Sequence, residues 1–313
     1  MRQLLAAAMM LALVSTPSAV VRPRVAMSTT YINLGINHVG SYDYVPSVLW
    51  DAESQVWRAW WCGYDGQKPG DAIYYATSAN GTTGWSAPTR VVRPSASGWD
   101  SQHACDPTVL MRPPGTFSAY KFVLWYTGNA VSDGAFNAKI GVATSNNGVT
   151  WTKYAGNPII DCAALASYGC GQTSFAIVDG AIKGVMSRVD GVTNQLSALT
   201  STDGVTFTEA VWPLPFAGVP GVDVMVTAAG AWYGVYTGDS TEHAIKAPGF
   251  GQLFQPAGDA DPTIRSWGAG WYRTGGGGYP GFFRTAMGTP SLADVSHDVW
   301  LQELRAMDWQ GLP

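Results

Sequence analysis

Four aspartates in this chain stand where short, apolar, strand-like runs begin. Asp43 precedes Val45-Pro46-Ser47-Val48-Leu49-Trp50, Asp106 opens Pro107-Thr108-Val109-Leu110-Met111, Asp223 opens the run to Thr227, and Asp261 opens Pro262-Thr263-Ile264. A fifth run, Thr173 to Val178, has Gln172 at the same place. Carboxylates brought together in this way do acid–base chemistry. In the hydrolysis of a glycosidic bond, one carboxylic acid protonates the leaving oxygen while a second carboxylate activates water or attacks directly. Crowding of like charge raises one of the pKa values, which keeps an acid protonated near neutral pH. The competing interpretation is structural, because an Asp-Pro at a strand start often bonds its own backbone two residues on. Asp261, which repeats the Asp-Pro-Thr of Asp106, is the weakest of the four as a catalyst.

Residues this far apart meet only if a repeated architecture gathers the strand starts, and the sequence carries such a repeat. Thr77-Ser78-Ala79-Asn80-Gly81 leads to Trp85, Thr144-Ser145-Asn146-Asn147-Gly148 to Trp151, and Thr200-Ser201-Thr202-Asp203-Gly204 to Phe207. The serines are 67 and then 56 positions apart. Asn-Gly or Asp-Gly supplies the positive φ of a tight turn, and the aromatic residue opens the next strand. A period of this length in a chain of short strands is the mark of a radial array of small sheets.

Five units follow. They begin at Val45, Asp106, Thr173, Asp223 and Asp261. The fifth takes Asp261–Ile264 as its first strand, Gly270 to Thr274 as its second and Phe282 to Met287 as its third. The second strands are rich in aromatics: Trp60-Trp61, Trp125-Tyr126, Trp232-Tyr233 and Trp271-Tyr272. These are expected to pack between neighbouring units. A final strand, Val299 to Leu304, and an early one near Tyr31 to Leu34 would join the chain ends in one sheet and close the ring. The predicted fold is all-β, a five-bladed β-propeller, in which the innermost strands line a channel and their first residues ring one mouth.

Composition narrows the function classes. Charged residues make up 13%, about half the usual share, glycine is 37 of 313, and net charge is −4. No basic surface for nucleic acid is indicated. Met1-Arg2, an apolar run from Leu4 to Val14 and then small residues resemble a secretory signal, so residues 1–26 are expected to be a leader and 27–313 a single domain. The apolar run is too short to span a bilayer. A secreted monomer is expected, with no membrane or nucleic-acid partner. Four cysteines suit an oxidising compartment and allow three pairings; Cys62–Cys105 and Cys162–Cys170 are favoured. No C-x-x-C occurs and only four histidines are present, so no metal site and no cofactor is expected.

With Asp43 and Pro46-Ser47-Val48 opening the first blade, Ala104-Cys105-Asp106-Pro107-Thr108-Val109 opening the second, and the A-T-S-x-[ND]-G hairpins, the chain resembles glycoside hydrolase family 43. This is the arabinanase and β-xylosidase group, with invertase and levansucrase as relatives. The resemblance implies an oligo- or polysaccharide substrate of the arabinan or xylan class, a general base at Asp43, and at Asp106 the residue that tunes pKa and holds the sugar. The family's acid is a third-blade Glu. Here Gly169-Cys170-Gly171-Gln172-Thr173 contains none, and Glu53, Glu209, Glu242 and Glu303 all lie away from inner-strand starts. Asp223 is the substitute acid. His38, Tyr42, Tyr44, Trp99 and His103 flank the predicted mouth, with Gln172 and Arg188 as further substrate contacts and Tyr42 and Trp99 as stacking platforms.

Two alternatives stand beside this. A non-catalytic, lectin-like propeller is favoured by the missing Glu. The turn around Ser201 to Phe207 also resembles the Asp-box of sialidases, whose substrate carboxylate needs an arginine cluster; Arg188, Arg265, Arg273 and Arg284 would have to converge. No G-x-S-x-G elbow is present, which argues against an esterase.

Overall fold

The computed structural model describes residues 32–34, 42–64, 70–130, 137–162, 169–189, 194–214, 221–238, 241–259, 267–282, 284–290, 302–309 and 312. The predicted leader lies outside these residues, as do His38 and Asp261–Ile264.

The strands fall into five radial units. A short strand, β1 (Ile32–Asn33), precedes the first blade, which contains β2 (Tyr42–Asp51), β3 (Val56–Tyr64), β4 (Ala72–Ser78) and β5 (Thr89–Val92). Blade two is β6 (His103–Met111), β7 (Phe122–Asn129) and β8 (Lys139–Ser145), edged by β9 (Thr152–Lys153) and β10 (Ile160–Asp161). Blade three is β11 (Gly169–Val178), β12 (Ala181–Val189), β13 (Asn194–Ser201) and β14 (Thr208–Val211). Blade four is β15 (Asp223–Val226), β16 (Trp232–Gly238), β17 (Thr241–Ala247) and β18 (Gln255–Asp259). Blade five runs β19 (Trp267–Thr274), β20 (Arg284–Pro290) and β21 (Gln302–Asp308), and its outermost place is taken by β1, antiparallel to β21 with Ile32 opposite Ala306. The chain ends therefore share a blade, as the sequence predicted, and the ring closes without leaving that edge bare.

Blade five corrects one detail of the sequence analysis. Trp267–Thr274 is the innermost strand of its blade and not the second: it pairs in parallel with β2, Tyr272 opposite Val48, as two inner strands do across a closed ring.

Five apolar clusters fill the five gaps between blades. Trp61, Tyr74 and Tyr272 anchor the one between blades five and one, and Trp60, Phe122 and Tyr126 the next. Trp125 and Phe175 hold blades two and three together, Trp212 and Trp232 blades three and four, and Tyr233 and Trp271 blades four and five. The aromatic second strands thus do what their repetition suggested. Each tryptophan or tyrosine ring buries apolar area and keeps one polar atom in need of a partner.

The repeated turn provides that partner. In all three copies the serine Oγ accepts from the N–H groups two and three residues on, Gly148 N at 2.9 Å and Gly204 N at 2.8 Å among them. The Asn or Asp side chain then accepts two further N–H groups, as Asp203 does from Val205 and Thr206 at 2.8 and 2.7 Å. Gly81, Gly148 and Gly204 take φ values of 75°, 79° and 79°, which a Cβ would strain. The carbonyl so exposed accepts from the preceding blade: Trp60 Nε1 to Gly148 O at 2.9 Å, Trp125 Nε1 to Gly204 O at 3.0 Å, and Tyr272 Oη to Gly81 O at 2.8 Å. These turns lie at the ends of β4, β8 and β13, on the face opposite the inner-strand starts.

Candidate active site

Three inner strands carry the same irregularity. The register of β2, β6 and β11 slips between Tyr44 and Ser47, between Cys105 and Thr108, and between Gly171 and Ser174. In each, one non-glycine residue adopts a left-handed φ: Val45 at 46°, Asp106 at 50° and Gln172 at 50°. Such bulges re-aim a side chain, and a residue held there against its own preference costs about 1–3 kcal/mol, a pattern concentrated at functional sites. Proline follows at Pro46 and Pro107 because a bulged residue needs no ladder N–H.

The bulges also fix how the blades correspond. Ser47 Oγ accepts from Val109 N at 3.2 Å, and Ser174 Oγ accepts from Val224 N at 2.8 Å. Asp223 is therefore the counterpart of Ser47, Thr108 and Ser174, while Gly221 is the counterpart of Val45, Asp106 and Gln172. The sequence suggested equivalent places for these aspartates, but the three that are described, Asp43, Asp106 and Asp223, differ. Asp43 stands two residues before the bulge, Asp106 at it and Asp223 two residues beyond it, deeper in the channel.

Around Asp106 the mouth is built from two blades. Asp71, immediately before β4, accepts from Tyr44 Oη at 3.0 Å and lies 3.1 Å from His103 Nδ1. Tyr44 and Asp71 come from blade one, His103 and Asp106 from blade two. The disulfide Cys62–Cys105, Cα atoms 5.0 Å apart, ties these blades at this level, since Cys62 pairs with Tyr44 and Cys105 separates Ala104 from Asp106. The second favoured bridge, Cys162–Cys170, is also formed. Asp71 and the two sulfurs of Cys62 and Cys105 lie within metal-ligand reach of one another, but sulfurs bonded to each other are not thiolate ligands. Gly70 lets the loop approach: a Cβ there would sit 2.1 Å from Gln102 O of the next blade.

Asp106 is 3% exposed. Burial pushes its pKa up, the charge of His103 and the hydroxyl of Thr127 pull it down, the charge of Asp71 pushes it up again, and the net direction is upward. Thr127 Oγ1 in turn accepts from Gln172 N at 2.9 Å, so blade three joins the network. His103 is also shifted up: burial works against its charged form, but the hydrogen bond to Asp71 and the charges of Asp106 and Asp71 outweigh it. Asp43 is 2% exposed and accepts from Trp61 Nε1 at 2.6 Å.

Asp223 has different company. Its Oδ1 accepts from Ser174 Oγ at 2.6 Å and lies 3.3 Å from Arg273 Nη1, and its Oδ2 accepts from Trp271 N at 2.7 Å. Arg273, 1% exposed, also donates to Ser174 Oγ at 3.2 Å, Val224 O at 3.4 Å and Ser47 Oγ at 2.8 Å. Thr108 Oγ1 donates to Thr173 O. Each blade contributes to this ring of contacts.

The remaining candidates scatter. Trp99 stacks on Tyr126, centroids 5.6 Å apart, and lies against Gly128 and Gly141, so its face is spent on packing. Gln172 lies across Gly221, where a Cβ would meet its Oε1 at 1.8 Å. Arg188 pairs with Glu209 at 2.7 Å on blade three, Arg284 with Asp308 at 2.5 Å on blade five, and Arg273 sits in the channel. These three arginines do not converge. Tyr42 is on β2 at the mouth. Asp71, missed in the sequence, was signalled only by Pro69-Gly70 ahead of a third strand.

No family model and no curated protein matches the sequence. Solved structures do match. A family 117 glycoside hydrolase of the marine bacterium Zobellia galactanivorans superposes with a TM-score of 0.63 at 12% identity over 89% of each chain. An α-L-arabinofuranosidase from Lactobacillus brevis gives 0.61 at 11% identity over 87% of this chain and 92% of its own. The fructofuranosidase of Schwanniomyces occidentalis, in complex with fructose, gives 0.64 at 14% identity over 88% of this chain and 57% of that one. The chain has the five-bladed propeller fold of these hydrolases.

Proposed function

We propose that this protein is an exported glycoside hydrolase acting on a furanoside- or xylan-type oligo- or polysaccharide at the mouth formed by blades one and two. The observation that supports it most directly is Asp106: a carboxyl group in a bulge of an inner strand, buried, shifted upward in pKa and bordered by Asp71 and His103. A turn-forming aspartate accepts from backbone N–H groups two and three residues on, as Asp203 Oδ1 does from Val205 and Thr206. Asp43, on the adjacent blade, is the base that takes the proton of the attacking water. Asp106 tunes and positions. Asp223, with Arg273 as counter-ion and both oxygens engaged, belongs to the channel and not to the chemistry.

The test is release of reducing ends from arabinan, xylan and fructan by purified protein, with Asp43→Asn as control. Release abolished in the variant, with sugar binding retained, supports the assignment. Binding of one of these glycans without cleavage by the wild type favours the lectin-like alternative, for which the Gln172 position, lacking an acid, is the motivating feature.

A further inference from the structure

With Asp223 committed to the channel and Gln172 unable to give up a proton, the glycosidase reading lacks a group to protonate the leaving oxygen. The geometry of the mouth supplies one. We propose that His103, oriented by Asp71, is the proton donor of the reaction. The proposal rests on the glycoside-hydrolase reading above.

His103 Nδ1 is 3.1 Å from Asp71 Oδ2, which fixes the ring and assigns that nitrogen's proton to the carboxylate. Nε2 makes no hydrogen bond to any described residue, and the side chain keeps 14% of its surface exposed. A histidine whose one nitrogen is held by a carboxylate presents the other in a defined direction and protonation state. The groups facing it are Asp71 from the loop before β4, with Tyr44 of β2 bonded to that carboxylate, and Asp106 from its own strand. Both charges among them favour the imidazolium, and the shift is upward. A donor titrating near or above the ordinary histidine range is matched to work close to neutral pH.

The step balances without a further reactant. As the bond from the anomeric carbon to the glycosidic oxygen breaks, its electron pair goes to that oxygen, which takes the Nε2 proton. Water adds to the anomeric carbon and loses a proton to Asp43. The proton on Asp43 and the vacancy on His103 are restored by exchange with solvent. Asp71 is a positioning residue: it acts through the ring and need not touch the sugar.

A structural ion pair between blades would leave different traces from a donor. A donor is needed in proportion to how poor the leaving group is. The probes are dinitrophenyl and methyl glycosides of arabinofuranose, xylose and fructofuranose, with the glycans named above. His103→Gln should lower the rate on methyl glycosides and glycans by about 10²–10⁴-fold and leave the dinitrophenyl rate within about tenfold, because that leaving group departs without a proton. Asp71→Asn should keep activity at low pH and move the alkaline limb of the rate profile to lower pH, since it removes the charge that holds His103 protonated. That variant also serves should His103→Gln fail to fold. Equal losses on both classes of substrate, or no loss, with an unmoved alkaline limb in Asp71→Asn, overturn the donor role alone. A wild type that cleaves none of the probes overturns the hydrolase reading, and the donor role falls with it.

Discussion

Two carboxylates near the propeller axis, Asp106 and Asp223, share strand type and an upward push on pKa, yet their surroundings differ in kind. Asp223 has a guanidinium at 3.3 Å, a hydroxyl at 2.6 Å and a backbone N–H at 2.7 Å. Burial pushes its pKa up while Arg273 pulls it back. Its partners come from blades three and five, so it locks the ring. Asp106 has Thr127, a histidine and a second carboxylate, and no full-time cation among the described residues. Burying a charge is tolerable only with matched partners, and a group left short of them changes its protonation instead. Proximity to the axis therefore does not tell a carboxylate of the proposed site from one that locks the ring. The partners do.

The sharpest way to break this contrast is to remove each carboxylate's charge. Asp43→Asn, on the catalytic side, is expected to cost about 10²–10⁴-fold in rate with the melting temperature little changed, read by initial rates beside calorimetry. On the structural side, Asp223→Asn leaves Arg273 buried without its counter-ion and should cost about 3–5 kcal/mol of stability, read by denaturant unfolding. Asp106→Asn should show the opposite sign, because it strands no buried arginine; the upward pKa shift is common to both carboxylates. The folded pKa of Asp106 lies above the unfolded value, so the native state binds the proton more tightly. Its stabilising contribution is full below the unfolded pKa and is lost as pH rises through the folded one. At neutral pH the amide therefore removes a cost, and the variant should melt at or above the wild type while turning over more slowly. A lower melting temperature for Asp106→Asn than for Asp223→Asn would erase the distinction.

Much of this was legible in the residues, and the part that was not has a physical reason. The turn triplet, the aromatic second strands and the joined chain ends are local or periodic signals, and each appears where the spacing placed it. Blade five was misread by one strand, because Gly270-Trp271-Tyr272 copies the aromatic signature of a second strand while occupying an innermost one. At the proposed site, Asp106 and His103 could be named from the sequence, since they sit on the strand that carries the motif. The equivalence of Asp223 failed because it stands two positions past the bulge site, where blade four has Gly221 and the others have Val45, Asp106 and Gln172. Asp71 could not be found by counting inner strands at all. It arrives from the start of a third strand, through a close approach that Gly70 permits.

His103 extends the comparison to pH. Its folded pKa is raised, so the stability it contributes is full below the unfolded value of about 6.5 and declines as pH rises through the folded value. His103→Gln should therefore narrow its stability deficit against the wild type between neutral and mildly alkaline pH, measured by thermal melts across that range. Asp223→Asn should show no such convergence there, because the partners of Asp223 are Ser174, Trp271 and Arg273 and the variant leaves the His103–Asp71 contact in place.

The smallest expected effect lies on the opposite face. In the third copy of the repeated turn, Ser201 Oγ holds Asp203 N at 3.2 Å and Gly204 N at 2.8 Å, and the turn offers Gly204 O to Trp125 of the preceding blade. Ser201→Ala removes the acceptor for two backbone donors and leaves Asp203 to hold Val205 and Thr206 by itself. The cost should be that of a lost cap, about 1 kcal/mol. Trp125→Phe keeps most of the ring contact with Phe175 but leaves the Gly204 carbonyl without its indole, for about 1–3 kcal/mol. Because both groups serve one carbonyl, the double variant should cost less than the sum, and a cycle of denaturant melts measures the difference. Full additivity would mean that the turn and the latch are independent. Neither variant should alter the pH–rate profile, since the turn is on the far face from Asp71 and His103.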